Sequence, residues 1–330
     1  MTAPRHGITV PFDDRPLHTQ ADRYAALATQ GYTDIWSSEA NGQDAYTPLA
    51  VGGAWAPSLR RGTAITSVYT RAPAVIAQTV AAMCEASPGG FACGLGTSSP
   101  MIVEQWNGLA FDRPLERMRD MARFLRRSLR GEKVTEEFDT FAIRGFQLDR
   151  PPETPPPILF AALRAGMLRL AEAEADGAIV NWFSAADAGR AAEILRGRDD
   201  GKELVARIMV APTEDTELVY ATVRRLFTAY LTVPAYVASQ QWLGREPALG
   251  PMWEAWASGD RKAALRLVPD DVIDALVVHG SYEQCRRRVA DYVDHGVTTP
   301  VLAVLPIGPS IDEALAGLAP DTGGVGVDAG

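Results

Sequence analysis

The residues best suited to chemistry lie in a run of small and hydroxyl-bearing side chains that follows a short apolar segment. Phe91 to Leu95 has the length and composition of a buried strand, and Gly96, Thr97, Ser98 and Ser99 come directly after it. The backbone N–H groups of such a loop can approach an anion closely, and the hydroxyls add donors. The pattern predicts a phosphate cradle for a nucleotide or flavin-like cofactor, although a plain strand-to-helix connection would also use these glycines.

Polar side chains follow several other predicted strands. Glu39 comes after the second strand, where it either takes part in catalysis or caps a helix or pairs with a basic residue. Asn181 and Trp182 follow the sixth strand; the amide holds a loop or contacts a ligand, and the indole fits core packing. Arg71 and Arg164 are either surface residues or partners of an anion. These residues match no nucleophile elbow, glycosidase carboxylate pair or metal centre, and they suit a cofactor that supplies the hard chemistry.

The composition of the 330 residues argues against several classes of protein. A net charge of −9 disfavours a nucleic-acid-binding surface, which needs an excess of positive charge. No apolar run reaches the roughly 18 residues of a membrane span, and the N-terminus has no signal-peptide core. We therefore expect a cytoplasmic protein without a membrane partner. The three cysteines have no metal-type spacing and predict no disulfide framework.

Strand-like and helical patterns alternate along the chain. Eight short apolar segments have the pattern of strands, at residues 8–12, 34–39, 62–68, 91–95, 158–162, 177–181, 204–210 and 300–305. The clearest helix runs from Pro114 to Arg130, and its predicted apolar face consists of Leu115, Met118, Leu125 and Leu129. The alternation predicts a (β/α)8 barrel. A doubly wound sheet is the alternative, and the absence of an early GxGxxG motif disfavours it.

Two insertions account for a length above the ~250 residues typical of this barrel. The first follows the fourth strand at residues 132–150, where weak alternation from Val134 to Ile143 predicts a small hairpin. The second occupies residues 230–270 and is rich in tryptophan. No compositional linker divides the chain, so we expect one domain over residues 1–318 and a mobile, Gly- and Asp-rich tail over residues 319–330.

Several stretches, taken together and in this order, resemble the luciferase-like monooxygenase superfamily. They are Thr70 to Val75, Ser87 to Gly96, Phe111 to Met118, and Pro155 to Ile158 with Ala161 and Ala162 after it. The resemblance runs from about residue 7 to residue 308 and is greatest to the branch that uses the deazaflavin coenzyme F420. It implies a luciferase-like (β/α)8 barrel that binds F420, or alternatively FMN, and a small-molecule substrate at the C-terminal ends of its strands.

The resemblance also implies where the cofactor lies. In the family the ring rests on a bulge of the third strand, often with a non-prolyl cis peptide, which corresponds here to Ala64 to Ser67. The phosphate side corresponds to Gly96 to Ser98 and to the loop from Ala162 to Met167, while the second insertion covers the substrate. The predicted cofactor-binding residues are Ile65, Thr66, Ser67, Gly94, Gly96, Thr97, Ser98, Ala161, Ala162, Gly166, Met167 and Asn181.

Two departures from the family pattern bear on the reaction. Glu39 is followed by Ala40, where many F420 enzymes of the family have an acidic residue and then a histidine near the substrate. The segment from Ser87 to Phe91 replaces the usual Ser-Gly-Gly-Arg, which keeps the cofactor loop but removes an arginine. The first departure leaves Glu39 as the predicted catalytic residue, either orienting the substrate or transferring a proton.

The resemblance leaves three functions open. The leading hypothesis is an F420-dependent oxidoreductase that moves a hydride between the deazaflavin and a small organic substrate. One alternative is an FMN-dependent monooxygenase on the same barrel. The other is a non-catalytic flavin-binding partner subunit, which the missing histidine keeps open. Family members often pair through barrel helices, so a homodimer is expected, whereas neither the substrate nor the direction of hydride transfer is specified.

Overall fold

In the computed structural model, which describes residues 5–196 and 201–320, parallel strands form a closed barrel. The strands are β1 (Gly7–Thr9), β2 (Asp34–Ser37), β3 (Arg60–Thr63), β4 (Thr66–Ser67), β5 (Phe91–Gly96), β6 (Val134–Glu137), β7 (Ala142–Phe146), β8 (Ile158–Ala161), β9 (Gly177–Asn181), β10 (Glu203–Ala211), β11 (Val277–His279) and β12 (Thr299–Val304). The barrel runs through β1, β2, β3, β5, β8, β9, β10 and β12, and pairing of β12 with β1 closes it. The predicted eight-strand barrel is confirmed.

Helices cover the outside of the barrel. In chain order they are α1 (Ala21–Thr29), α2 (Tyr46–Trp55), α3 (Pro73–Glu85), α4 (Pro114–Ser128), α5 (Ala165–Glu174), α6 (Ala185–Leu195), α7 (Thr216–Tyr230), α8 (Pro234–Trp242), α9 (Glu246–Ala257), α10 (Arg261–Arg266), α11 (Asp270–Leu276), α12 (Tyr282–Asp294) and α13 (Ile311–Gly317). A short 3-10 turn occupies Leu17–Thr19, and a π-helical segment occupies Met101–Trp106.

Local sequence explains where several helices begin. Ser184, Ser281 and Ser310 precede α6, α12 and α13, and each forms a capping box with the third residue of its helix. Proline suits the first turn of a helix because its missing N–H has no partner there, and α4 begins at Pro114 as predicted. Its predicted apolar face is buried except for Leu115 in the first turn, which is 43% exposed.

Three details of the chain differ from the sequence prediction or go beyond it. The single strand predicted over residues 62–68 is divided into β3 and β4 at a cis peptide bond. Strand β11, which pairs with the upper end of β10, was not predicted because three residues directly after a helix, two of them valines, give no separate strand signal. The second insertion consists mainly of α8 to α10, while the first contains the predicted hairpin of β6 and β7. The predicted tail lies mostly outside the described residues, and the domain boundary stays a prediction.

Side chains from alternate strand positions fill the barrel in layers. The lowest layer is charged or polar and holds Asp34, Arg60, Glu203 and Thr299. An apolar layer lies above it and consists of Trp36, Ala92, Leu159, Ile179, Val205 and Val301. Two positions further along the strands comes the uppermost layer, which contains Gly94, Ala161, Asn181, Arg207 and Ala303. We call this C-terminal opening of the barrel the mouth.

Candidate functional site

Glu39 lies at the mouth, just after β2, with both carboxylate oxygens in use. Oε2 accepts hydrogen bonds from the Thr66 hydroxyl at 3.0 Å and from the Ser67 backbone N–H at 3.2 Å. Oε1 pairs with the Arg71 guanidinium at 2.7 Å, and this guanidinium also lies over the ring of Tyr46. Burial disfavours the charge of Arg71, yet the contact with Glu39 outweighs it and raises the arginine's pKa. Glu39 therefore ties the end of β2 to the segment that contains β4.

The segment between β3 and β4 contains a cis peptide bond before Ile65, at the position that the family resemblance implied. The Ile65 carbonyl accepts a hydrogen bond from the Glu39 backbone N–H at 3.1 Å. A Cβ on Gly96 would lie 2.5 Å from Cγ1 of Ile65, so only glycine allows β5 to approach this closely. Ile65, Thr66, Ser67 and Gly96 thus lie next to one another beside Glu39, with Ile65 half-buried and the other three buried, and we call this group the ring platform.

The predicted phosphate loop divides into a buried part and an accessible part. Gly94 is buried in β5, where a Cβ would lie 1.8 Å from the carbonyl oxygen of Thr63. Strand packing alone therefore accounts for this glycine, which agrees with the alternative of a plain strand-to-helix connection. Thr97 and Ser98 follow the strand and are half-buried, and Ser98 has a φ of 61°. Of this loop, Thr97 and Ser98 are the predicted residues whose hydroxyls are placed to reach a ligand.

The loop after β8 leads into the N-terminus of α5. Ala161 is half-buried at the mouth, whereas Ala162 is buried and its N–H already donates to the Ile179 carbonyl at 2.9 Å. Gly166 is exposed, and a Cβ there would meet no protein atom within 4 Å. Met167 is half-buried beside it. Because the first turn of a helix offers free N–H groups, this loop has space and donors for a phosphate at Gly166. Ala162 contributes only to the wall of the mouth.

Asn181 and Trp182 lie at the end of β9. The Asn181 amide nitrogen donates to the Tyr236 hydroxyl at 3.0 Å, and its Oδ1 is buried without a partner in the part of the chain that the structure describes. Trp182 is 1% exposed and packs against Tyr230, as predicted for a core residue. Its carbonyl accepts a hydrogen bond from Gln240 at 3.0 Å. Both Tyr236 and Gln240 belong to α8, so the second insertion is fixed over this side of the mouth.

Arg207 is a functional candidate that was not among the predicted site residues. It is paired in register with Asn181, and it faces the barrel interior because Val205, two residues earlier, belongs to the apolar layer. One guanidinium nitrogen contacts Sδ of Met209 at 3.6 Å, and Nε is buried without a partner. Burial lowers the pKa of this arginine. The signal in the sequence is an arginine at an inward position of an otherwise apolar strand.

The remaining sequence candidates lie apart from this group. Arg71 is occupied by Glu39, and Arg164 is exposed at the N-terminal end of α5. Within residues 5–196 and 201–320, no three His, Cys, Asp or Glu side chains are grouped to hold a metal ion. Over the same ranges, none of the helices combines the length and the apolar character that a membrane span requires.

Comparisons with known proteins agree with this fold. The model of the luciferase-like monooxygenase family matches residues 3–299. A 5,10-methylenetetrahydromethanopterin reductase of Methanolobus tindarius is 28% identical over 302 residues, which cover 88% of this chain and 92% of that protein. The structure of the coenzyme F420-dependent tetrahydromethanopterin reductase of Methanopyrus kandleri matches with a TM-score of 0.80 at 20% identity, covering 96% of this chain and 97% of the other. The oxygenating constituent of 3,6-diketocamphane monooxygenase from Pseudomonas putida, in complex with FMN, matches with a TM-score of 0.65 at 12% identity, covering 96% and 97%.

Proposed function

This chain belongs to the luciferase-like monooxygenase family, and from that premise we propose that it is an F420-dependent oxidoreductase. It moves a hydride between the deazaflavin and a small organic substrate. The observation that carries the proposal is the ring platform beside Glu39, which coincides with the segment to which the family resemblance assigns the cofactor ring. The reductases of Methanolobus tindarius and Methanopyrus kandleri support this choice, since the second is described as dependent on coenzyme F420.

The residues at this part of the mouth fit a planar ring. Gly96 has no side chain, and a Cβ there would collide with Ile65 and lie 3.2 Å from the Cβ of Ala161. Ala303 on β12 is a further small inward residue, across the mouth from Gly96. A large side chain at any of these positions would fill the space above the ring platform. When bound, the deazaflavin supplies the carbon that accepts or releases the hydride.

The flanking loops are suited to the phosphate side of the cofactor. Thr97 and Ser98 offer hydroxyls at the end of β5, and Gly166 leaves the first turn of α5 open. Hydroxyls and free helix N–H groups are donors that phosphate oxygens accept. We therefore assign these three residues to the phosphate and the ring platform to the tricycle.

Glu39 acts in this proposal by holding the ring platform. Both of its oxygens are engaged by Thr66, Ser67 and Arg71, and hydrogen bonds to a charged group are stronger than neutral ones. A direct role in proton transfer stays a prediction. A Glu39→Gln variant separates the two roles, because loss of the platform weakens cofactor binding, whereas loss of a proton donor changes the pH profile of turnover.

Titration of the purified protein with F420 and, separately, with FMN tests the proposed cofactor, with quenching of cofactor fluorescence as the signal. We expect F420 to bind at micromolar concentration. Micromolar binding of FMN without any response to F420 would replace the proposal by the FMN-dependent monooxygenase. Binding of neither cofactor would favour the non-catalytic subunit.

A Gly96→Ala variant tests the ring platform itself. The added methyl group must displace Ile65, and such overpacking costs roughly 1–3 kcal/mol, so we expect the Kd of F420 to rise by about tenfold or more. Gly250→Ala is the matched control, since a Cβ at Gly250 in α9 would meet nothing within 4 Å. Unchanged F420 binding by a folded Gly96→Ala protein would place the ring elsewhere.

A further inference from the structure

The wall of the mouth opposite the ring platform carries an arginine without a counter-charge. Strand β10 stands four positions from β3 in the eight-strand barrel, so Arg207 lies across the mouth from Ile65. It is half-buried, and alternation along β10 directs it inward, above Val205. Any ligand that covers the ring platform from inside the mouth would meet this side chain.

Arg207 lacks the partners that buried guanidinium groups normally have. Its one hydrogen-bond contact is the weak acceptor Sδ of Met209, and no carboxylate lies within ion-pair distance of it among the described residues. The phenolic side chains of Tyr230 and Tyr236 lie near it. Leaving a charge uncompensated in a half-buried position is unfavourable unless a ligand supplies the opposite charge.

A second unsatisfied polar atom lies beside Arg207. Asn181 is its neighbour in register on β9, and the Oδ1 of that residue is buried without a partner among the described residues. Tyr236 of α8 fixes the Asn181 amide from above. Two adjacent residues on the same wall thus have unused hydrogen-bonding capacity, and the second insertion covers both of them.

We propose that Arg207 binds a carboxylate or phosphate group of the substrate, so that the enzyme acts on anionic small molecules. The proposal rests on the proposed function, because it places the reacting part of that substrate over the ring platform. A guanidinium binds either anion through parallel N–H donors. Asn181 accepts a hydrogen bond from a hydroxyl or N–H group next to the anion. In the strand order of the barrel, β10 is two positions from β8 and three from β5. Arg207 therefore belongs to neither phosphate loop, and we assign the anion to the substrate and not to the cofactor tail.

Anion binding is tested first without any turnover. The probes are inorganic phosphate and acetate at millimolar concentration, and the readout is the thermal unfolding midpoint of the full chain. We expect at least one probe to raise the midpoint of the wild type and of the exposed-arginine control Arg169→Met, and to raise that of Arg207→Met less, since phosphate keeps the donors of Thr97, Ser98 and Gly166 in every variant. Equal stabilisation of all three proteins, or of none, would overturn the proposal.

Cofactor titration and turnover then identify the source of the anion. We expect Arg207→Met to bind F420 as the wild type does, and a weakened F420 affinity would show that the arginine holds the cofactor instead. With reduced or oxidised F420, carboxylic acids and their methyl esters form matched substrate pairs. The wild type should prefer the acid in kcat/KM, and Arg207→Met should lose about tenfold to hundredfold on the acid alone. Equal losses on acid and ester would contradict the proposal. Arginine-dependent anion binding without F420 binding would instead contradict the proposed function alone.

Discussion

The inward-facing arginines at the two ends of the barrel interior differ in their partners. At the N-terminal end, Arg60 lies between Asp34 and Glu203, with both of its outer nitrogens on the Glu203 carboxylate at 2.5 and 3.0 Å. Arg5 contributes a second cation to Asp34 at 2.8 Å, and Thr299 donates to Glu203 at 2.6 Å. At the mouth, Arg207 has neither a carboxylate nor a strong acceptor among the described residues.

The difference separates a stabilising layer from a binding layer. In (β/α)8 barrels the active site lies at the C-terminal face, whereas the opposite face contributes to stability. A buried ion pair is worth keeping only when hydrogen bonds satisfy its remaining atoms, which the Arg60 layer achieves. The unused hydrogen-bonding groups of Arg207 and Asn181 therefore lie at the end of the barrel where ligands bind.

A third arginine shows which part of this comparison matters. Arg61 is fully buried outside the barrel and has no carboxylate partner among the described residues. Its Nη1 donates to the Ala86 carbonyl and to the Ser87 hydroxyl at 2.7 Å, whereas Nε and Nη2 have no partner among those residues. Its side chain fills the space that Gly53 of α2 leaves open. Burial without a carboxylate is thus compatible with a packing role, and what distinguishes Arg207 is its place on the inner wall of the mouth.

The largest effect is expected when the filled layer is broken. An Arg60→Met variant leaves Glu203 without its guanidinium partner in the barrel floor, and removing one member of a buried ion pair costs about 3–5 kcal/mol. We expect the free energy of unfolding in urea, followed by circular dichroism, to fall by that amount, while the F420 affinity of the folded protein stays the same.

Arg127→Met provides the matched control for this loss. Arg127 pairs with Glu132 and Glu136 on the surface, and exposed pairs contribute only about 0.2–1 kcal/mol each. A drop in stability no larger for Arg60→Met than for Arg127→Met would show that the lower layer is not the stabilising end of the barrel.

The sequence predicts the fold better than it predicts the site because the two depend on different signals. Strand length, apolar composition and helix punctuation, such as Pro114 before α4, are local, so the barrel follows from them. The division of the third strand at Ile65 depends on contacts with Glu39 and Gly96, which are far apart in sequence. Strand β11 exists because β10 offers it an open edge, which no local pattern encodes.

The same distinction applies to the candidate residues. A glycine pattern predicts close backbone approach but not what approaches, and at Gly94 the neighbour is the Thr63 carbonyl. Arg207 was missed because an arginine in an apolar strand is ambiguous until the inward positions are known. Its mate in the lower layer, Arg60, was equally inconspicuous, since the partners Asp34 and Glu203 are 26 and 143 residues away.

A smaller effect is expected from titrating the lower layer. Burial disfavours the charged form of Glu203, but the hydrogen bonds and charge of Arg60, together with Thr299, outweigh it and hold the pKa below its ordinary value of 4.5. A carboxyl with a depressed folded-state pKa stabilises fully above the unfolded-state pKa, and this contribution is lost as the pH falls through the folded-state pKa. We expect the stability difference between the wild type and Glu203→Gln to be largest at neutral pH and to shrink below about pH 4.5.

The mouth provides the control for this titration. Arg207→Met removes a charge that has no carboxylate partner among the described residues, so it should leave the acid dependence of unfolding as it is in the wild type. A wild-type stability advantage over Glu203→Gln that stayed constant down to pH 3 would contradict the depressed pKa, and with it the view that Arg60 and Glu203 stabilise each other.

The smallest effect on stability is expected from the same substitution at the opposite end, Arg207→Met. Replacing an unpaired, half-buried guanidinium by an apolar side chain removes a desolvated charge and leaves no carboxylate exposed to an apolar environment. We therefore expect the free energy of unfolding to change by less than about 1 kcal/mol, and in the favourable direction if at all. Urea unfolding without ligand is the required measurement, because a bound anion would stabilise the wild type alone. A loss comparable to that of Arg60→Met would mean that the mouth arginine is a structural residue, and the contrast between a filled and an unfilled end of the barrel would no longer hold.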